Sequence, residues 1–156
     1  MTNEALDTRE QYLHWMRASS PAFLAPFALI GVSQLLAAAG SPAYAPPLGL
    51  RSMMLAAAVG AVIFGRTFGR RITLAPSGMS AENAVAFVRS TSWTLLGLAI
   101  APSLLGIVLV LFTHSLGDAL LMLVLTLLGF VLLYPRAVQW DAWLRHLVAP
   151  AEEVTV

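Results

Sequence analysis

Residues 93–134 read WTLLGLAIAPSLLGIVLVLFTHSLGDALLMLVLTLLGFVLLY and carry one formally charged side chain, Asp118. The hydrocarbon core of a bilayer takes about 20 apolar helical residues at about 1.5 Å rise each. The stretch therefore accommodates two passes, divided at the short loop that holds His114 and Asp118, and it predicts transmembrane helices over 93–112 and 119–134. Toward the N-terminus, 22–39 and 47–65 meet the same requirement, with no charge near the middle of either. The expected fold is an all-α membrane protein of four transmembrane helices, two tandem helical hairpins forming a single integral membrane domain over 1–156. The last span is so rich in leucine that it is the expected lipid-facing helix.

Composition points the same way. Of 156 residues, 58% are hydrophobic and 11% charged, against roughly 45–50% and about 25% in soluble domains. A soluble domain this small has too little interior for so much apolar surface. The net charge of +1 argues against a nucleic-acid partner, which requires a concentrated basic face. The absence of cysteine removes disulfides, thiol redox chemistry and cysteine-bound metal sites, and no cofactor is expected. All nine basic residues are arginine. With abundant Ala, Gly, Pro and Leu, this usage suggests a GC-rich bacterial genome and hence the bacterial inner membrane.

Ala43-Tyr44-Ala45 has the small-residue form of a signal-peptide cleavage site. However, Pro46 would follow the cut, and the leading polar region sets Glu4, Asp7 and Glu10 against Arg9 and Arg17. The segment 22–39 is therefore read as a retained span. With the N-terminus inside, the cytoplasmic segments carry Arg9, Arg17, Arg66, Arg70, Arg71, Arg89, Arg136 and Arg145, and the outer side only Arg51. That asymmetry puts both termini in the cytoplasm. Trp15, Trp93, Trp140 and Trp143 fall near the same interface, where indole rings sit at headgroup level.

Both termini read as amphipathic helices lying in the membrane surface. Over 1–20, Leu6, Tyr12, Leu13 and Met16 share one side; over 137–148, Trp140, Trp143, Leu144 and Leu147 form a stripe. The cytoplasmic connection 66–92 begins with a basic cluster, Arg66, Arg70 and Arg71, suited to acidic headgroups or, more specifically, to a phospholipid or phosphorylated ligand. Ala75-Pro76-Ser77-Gly78 then predicts a turn, and Ser80 caps a short helix ahead of the third span.

The second span has small residues at four-residue spacing, Ser52, Ala56 and Gly60 in one row and Ala57, Ala61 and Gly65 in the next. Such rows let helix backbones approach closely, within the bundle or between chains. Pro102 is expected to kink or loosen the third span. Gln34 in the first span carries an amide that needs partners at that depth, with a helix-to-helix hydrogen bond as its ordinary role. On the outer side Arg51, His114 and Asp118 are candidates to gather. An Arg51–Asp118 ion pair is the structural expectation, and one His with one Asp falls short of a metal site.

No nucleophile elbow, zinc-binding HExxH, phosphate-binding glycine loop or intramembrane carboxylate pair appears. The expected function is a non-catalytic accessory or assembly subunit whose partners are the bilayer and either further copies or another membrane protein. A small oligomeric transporter built around Gln34 and Pro102 is the alternative. A lipid-directed enzyme using Arg51, His114 and Asp118 comes third.

Overall fold

The computed structural model describes residues 8–40 and 47–149. Glu4, Leu6 and Asp7 of the expected N-terminal helix, and Ala43-Tyr44-Ala45, lie outside the described residues. Among those described, every regular element is helical: α1 (Thr8–Ser19), a 3-10 turn (Ser20–Leu24), α2 (Ala25–Ala38), α3 (Leu48–Gly69), α4 (Arg71–Leu74), α5 (Ala81–Thr113), α6 (Leu116–Leu133) and α7 (Ala137–Val148). Four stretches are long and apolar enough to cross a membrane: Thr8–Ala38, Gly49–Leu74, Ala81–Thr113 and Leu116–Leu133.

Local chemistry sets the boundaries. Pro21 and Pro26 stand in the first turns of the 3-10 segment and of α2, positions that need no backbone N–H. Gly78 turns the chain at φ +86° ahead of α5. Ser80 and Ser115 then cap α5 and α6, accepting from the Asn83 and Asp118 N–H groups at 3.4 and 3.3 Å.

The expected short helix before the third span is instead continuous with it. α5 runs for 33 residues, about 50 Å at 1.5 Å per residue, well beyond the hydrocarbon thickness of about 30 Å. Where the two join, hydroxyls of the polar run 90–94 donate to carbonyls four residues back. Thr91 bonds Phe87 O at 2.9 Å, Ser92 bonds Val88 O at 2.8 Å and Thr94 bonds Ser90 O at 3.2 Å. Satisfied in this way, they let the helix continue. α5 also runs through Pro102, which is buried.

Helices α5 and α6 form the centre. A Cβ added at Gly129 of α6 would lie 2.9 Å from the Ala99 carbonyl oxygen of α5, so the two backbones are in contact there. Two turns away on the same seam, a Cβ at Gly106 would lie 2.8 Å from Met122 Cβ and 3.1 Å from Leu29 of α2. Ser103 and Thr126 meet between these points at 2.8 Å, while Thr126 donates to Met122 O, leaving Ser103 as the donor of the pair. Ala119, Met122, Thr126, Gly129 and Leu133 all face inward from α6 at alternating steps of three and four. Leu120, Val124, Leu127 and Val131 face outward. The fourth helix, expected to be the lipid-facing one, has one exposed face and one face packed on α5.

The tandem-hairpin picture is corrected too. α2 and α3 each pack on both α5 and α6, with little contact between them, so they flank the central pair on opposite sides. Of the two small-residue rows on α3, Ser52, Ala56 and Gly60 face outward with Ala57, Ala61 is half-buried and Gly65 alone is buried. The face of α3 against the bundle runs through Ala58, Val62 and Gly65. Spacing alone identifies a smooth row but not which way it faces.

The terminal helices are docked against protein. Trp15, Ile72, Ala84, Val88, Trp140, Leu144 and Leu147 form one core from α1, α4, α5 and α7, where α5 rises beyond the spans. The stripe read on α7 is the buried one, but on α1 Trp15 and Ser19 are buried while Met16 is exposed. Met79 N–H donates to Leu147 O at 2.9 Å, Tyr12 OH to Pro135 O at 3.4 Å, and His146 meets Ala75 O at 3.3 Å, fixing this small extension.

Gly129→Leu is expected to destabilise the fold by about 3 kcal/mol or more, since its new side chain meets backbone that cannot move aside. Thermal unfolding of the purified variant in mild detergent measures the loss.

Candidate functional site

The up-and-down course of the spans gathers Arg9, Arg17, Arg66, Arg70, Arg71, Arg89, Arg136 and Arg145 at the end that holds α1, α4 and α7, leaving Arg51 at the other. At the arginine-rich end Trp15 is ringed by Tyr12, Trp93, Tyr134 and Trp140 at centroid distances of 5.3–6.2 Å. Phe23 and Phe130 stack at 4.9 Å and carry the aromatic column down toward the spans. Trp15 and Trp140 are 1% and 0% exposed, with indole N–H groups that find no partner among the described residues. Ring packing therefore outweighs two desolvated donors, each costing about 1–3 kcal/mol. This departs from the sequence expectation of headgroup anchors, which Trp93, at 40% exposure, fits better.

Beside this core lies a groove of about 290 Å³, bounded by the last turns of α3 and α6, α4, α5 and the start of α7. Arg66, Arg70, Thr73 and Gln139 supply its polar groups, and Gly65, Gly69, Leu95, Leu132 and Leu133 its apolar wall, with Trp143 alongside. Gln139 is held in place by accepting from the Arg136 N–H at 2.9 Å, which starts α7. Thr73 donates to Arg70 O at 2.8 Å. The third member of the expected basic cluster is elsewhere: the Arg71 guanidinium stacks 4.9 Å over the Phe68 ring. The sequence reading missed Thr73, Gln139 and Trp143 as companions of Arg66 and Arg70. The spacing from Arg136 to Gln139, that of an N-terminal capping pair, is the one signal that could have placed Gln139.

At the opposite end Arg51 Nε lies 3.1 Å from Asp118 Oδ2, joining the start of α3 to the first turn of α6. The contact is electrostatic and lacks the alignment of a hydrogen bond, since Asp118 Oδ2 is buried without one. His114 caps α5 in the left-handed region at φ +48°, and its Nδ1 meets Gly40 O at 2.8 Å. The expected trio therefore splits, with Arg51 on Asp118 and His114 on the backbone after α2. Among the described residues no group of three His, Asp or Glu is placed to hold a metal.

Inside the spans the polar groups are engaged locally. Ser33 donates to Ile30 O at 2.8 Å, and Ser103 and Thr126 satisfy each other in the central seam. Gln34 instead points outward from α2, and among the described residues its amide has no hydrogen-bond partner. Gln34 is exposed on α2, whereas Pro102 is buried in α5.

A double-mutant cycle on Arg51→Ala and Asp118→Ala, read by unfolding in detergent, is expected to return a coupling of about 0.5–1 kcal/mol, the range for half-exposed pairs.

No family model, curated protein or solved structure matches this chain.

Proposed function

We propose that the protein is a non-catalytic subunit of a membrane assembly, embedded in a bacterial inner membrane with its arginine-rich end and both termini in the cytoplasm. The orientation follows from the eight-to-one distribution of arginine between the two ends.

The observation that carries the assembly reading is what the membrane-length helices present outward. On α3, Ala56 and Gly60 face away from the bundle, and a Cβ added at Gly60 meets nothing within 4 Å. On α2, Gln34 presents an amide that lipid cannot satisfy. A smooth helix face and an unpartnered amide are both features that a neighbouring helix accommodates, by close backbone approach and by hydrogen bonding. Assembly is preferred to transport because, of the two groups a solute path would use, Gln34 is exposed on α2 and Pro102 is buried in α5. It is preferred to lipid chemistry because the His114 ring and the Asp118 carboxylate are each engaged in holding helix ends together.

Gly60→Leu separates these effects, because nothing in the chain itself occupies the space its side chain enters. The variant is expected to unfold at the wild-type temperature while losing its oligomer or partner, as read by native mass spectrometry of detergent extracts. Unchanged assembly would count against the proposal.

A further inference from the structure

We propose that the groove between the end of α3, the end of α6 and the start of α7 binds a phospholipid whose headgroup carries a net negative charge on its phosphodiester. The inference requires that the chain be embedded in a membrane; it does not depend on what the chain assembles with.

Arg66 in the last turn of α3 and Arg70, its C-cap, are four residues apart and border the same groove, and neither has an ion-pair partner among the described residues. Asp141 is held by Arg145 at 2.8 Å, and Asp118 by Arg51 at the far end of the bundle. Two guanidinium forks that share one wall suit a phosphate, whose oxygens accept from both. Gln139 extends the donor set. Its Oε1 is occupied by the Arg136 N–H, so the group it has left to offer a ligand is its amide NH2. The polar side of the groove therefore offers donors, and its complement is an acceptor-rich anion.

The remaining wall decides between a free phosphate and a lipid. Gly65, Leu95, Leu132 and Leu133 continue the groove along the ends of the spanning helices, where acyl chains begin. A soluble phosphate has no use for that surface, whereas the glycerol backbone and first methylenes of a lipid would cover it. At two positions of this wall the absence of a side chain lets a leucine close in on the end of α3. A Cβ at Gly65 would come within 2.5 Å of Leu133 Cδ1, and one at Gly69 within 3.7 Å of Leu95. Arg71, adjacent in sequence, is directed to the Phe68 ring, so the site takes two of three consecutive basic residues. Basic pockets between helices at this depth are the setting in which charged headgroups are held.

The test uses the full-length chain purified in mild detergent and native mass spectrometry. Phosphatidylglycerol is titrated against phosphatidylcholine with the same acyl chains. The wild type is expected to retain phosphatidylglycerol preferentially, and R66Q/R70Q to weaken that retention roughly tenfold or more. R17Q/R89Q, which removes the same charge from the same end outside the groove, is expected to keep it. Gly69→Leu, which fills the apolar wall with both arginines in place, is expected to lose it. Millimolar inorganic phosphate is expected to leave the lipid bound. Equal retention of the two lipids, equal loss in R17Q/R89Q, full retention in Gly69→Leu or displacement by inorganic phosphate would each overturn the proposal, the last by assigning the arginines to a soluble anion.

Discussion

Where α6 crosses α5, the absence of a side chain at Gly129 lets one backbone rest on the carbonyl of Ala99. In lipid, apolar surface gains little by leaving one hydrocarbon environment for another, so helix association depends on such close packing and on polar groups that satisfy one another. The central seam uses both means: Gly106 and Gly129 allow approach, and the Ser103–Thr126 hydrogen bond lies between them. With that pair in place, two grooves exist on opposite sides, and α2 and α3 occupy one each. The length of α5 does the rest. Because it is the longest of the helices described, its N-terminal part gives α1, α4 and α7 something to pack on, and the aromatic core and the arginine-bordered groove are built there.

The four long apolar helical stretches were readable from the sequence because hydropathy is a property of each segment alone. Residues 22–39, 47–65, 93–112 and 119–134 all lie largely within the helices found. The Arg51–Asp118 contact was also readable, since it follows from both residues sitting at the same end of adjacent spans. What was not readable is which helix lies beside which. Leu-rich α6 looks like a lipid-facing helix until Ala119, Thr126 and Gly129 are seen to share one side. The row Ser52, Ala56, Gly60 suits packing within the bundle as well as between chains until Ala58 and Val62 are found to hold the inward face. The third span was started too late for a different reason: Ser92 suits a loop as well as a helix, and its bond to Val88 O keeps it helical.

The candidate groove illustrates the same limit. Arg66, Arg70 and Arg71 form one cluster in the sequence, yet the turn from α3 into α4 directs Arg71 to an aromatic ring and leaves two arginines beside Gln139, which is 69 positions beyond Arg70 in the numbering. The polar chemistry of the protein is thereby divided between the two ends of the bundle. One end is a latch of an ion pair and a histidine cap. The other is a docked group of helices with exposed positive charge.

The arrangement of α2 and α3 around a central α5–α6 pair is tested most directly by disulfide cross-linking, for which the natural absence of cysteine provides a clean background. Paired cysteines at Gly106 with Met122 and at Gly65 with Leu133 are expected to cross-link rapidly in membranes, whereas pairs scanned between the facing depths of α2 and α3 are not. Efficient cross-links between α2 and α3, with none between Gly65→Cys and Leu133→Cys, would show two separate hairpins and contradict the account.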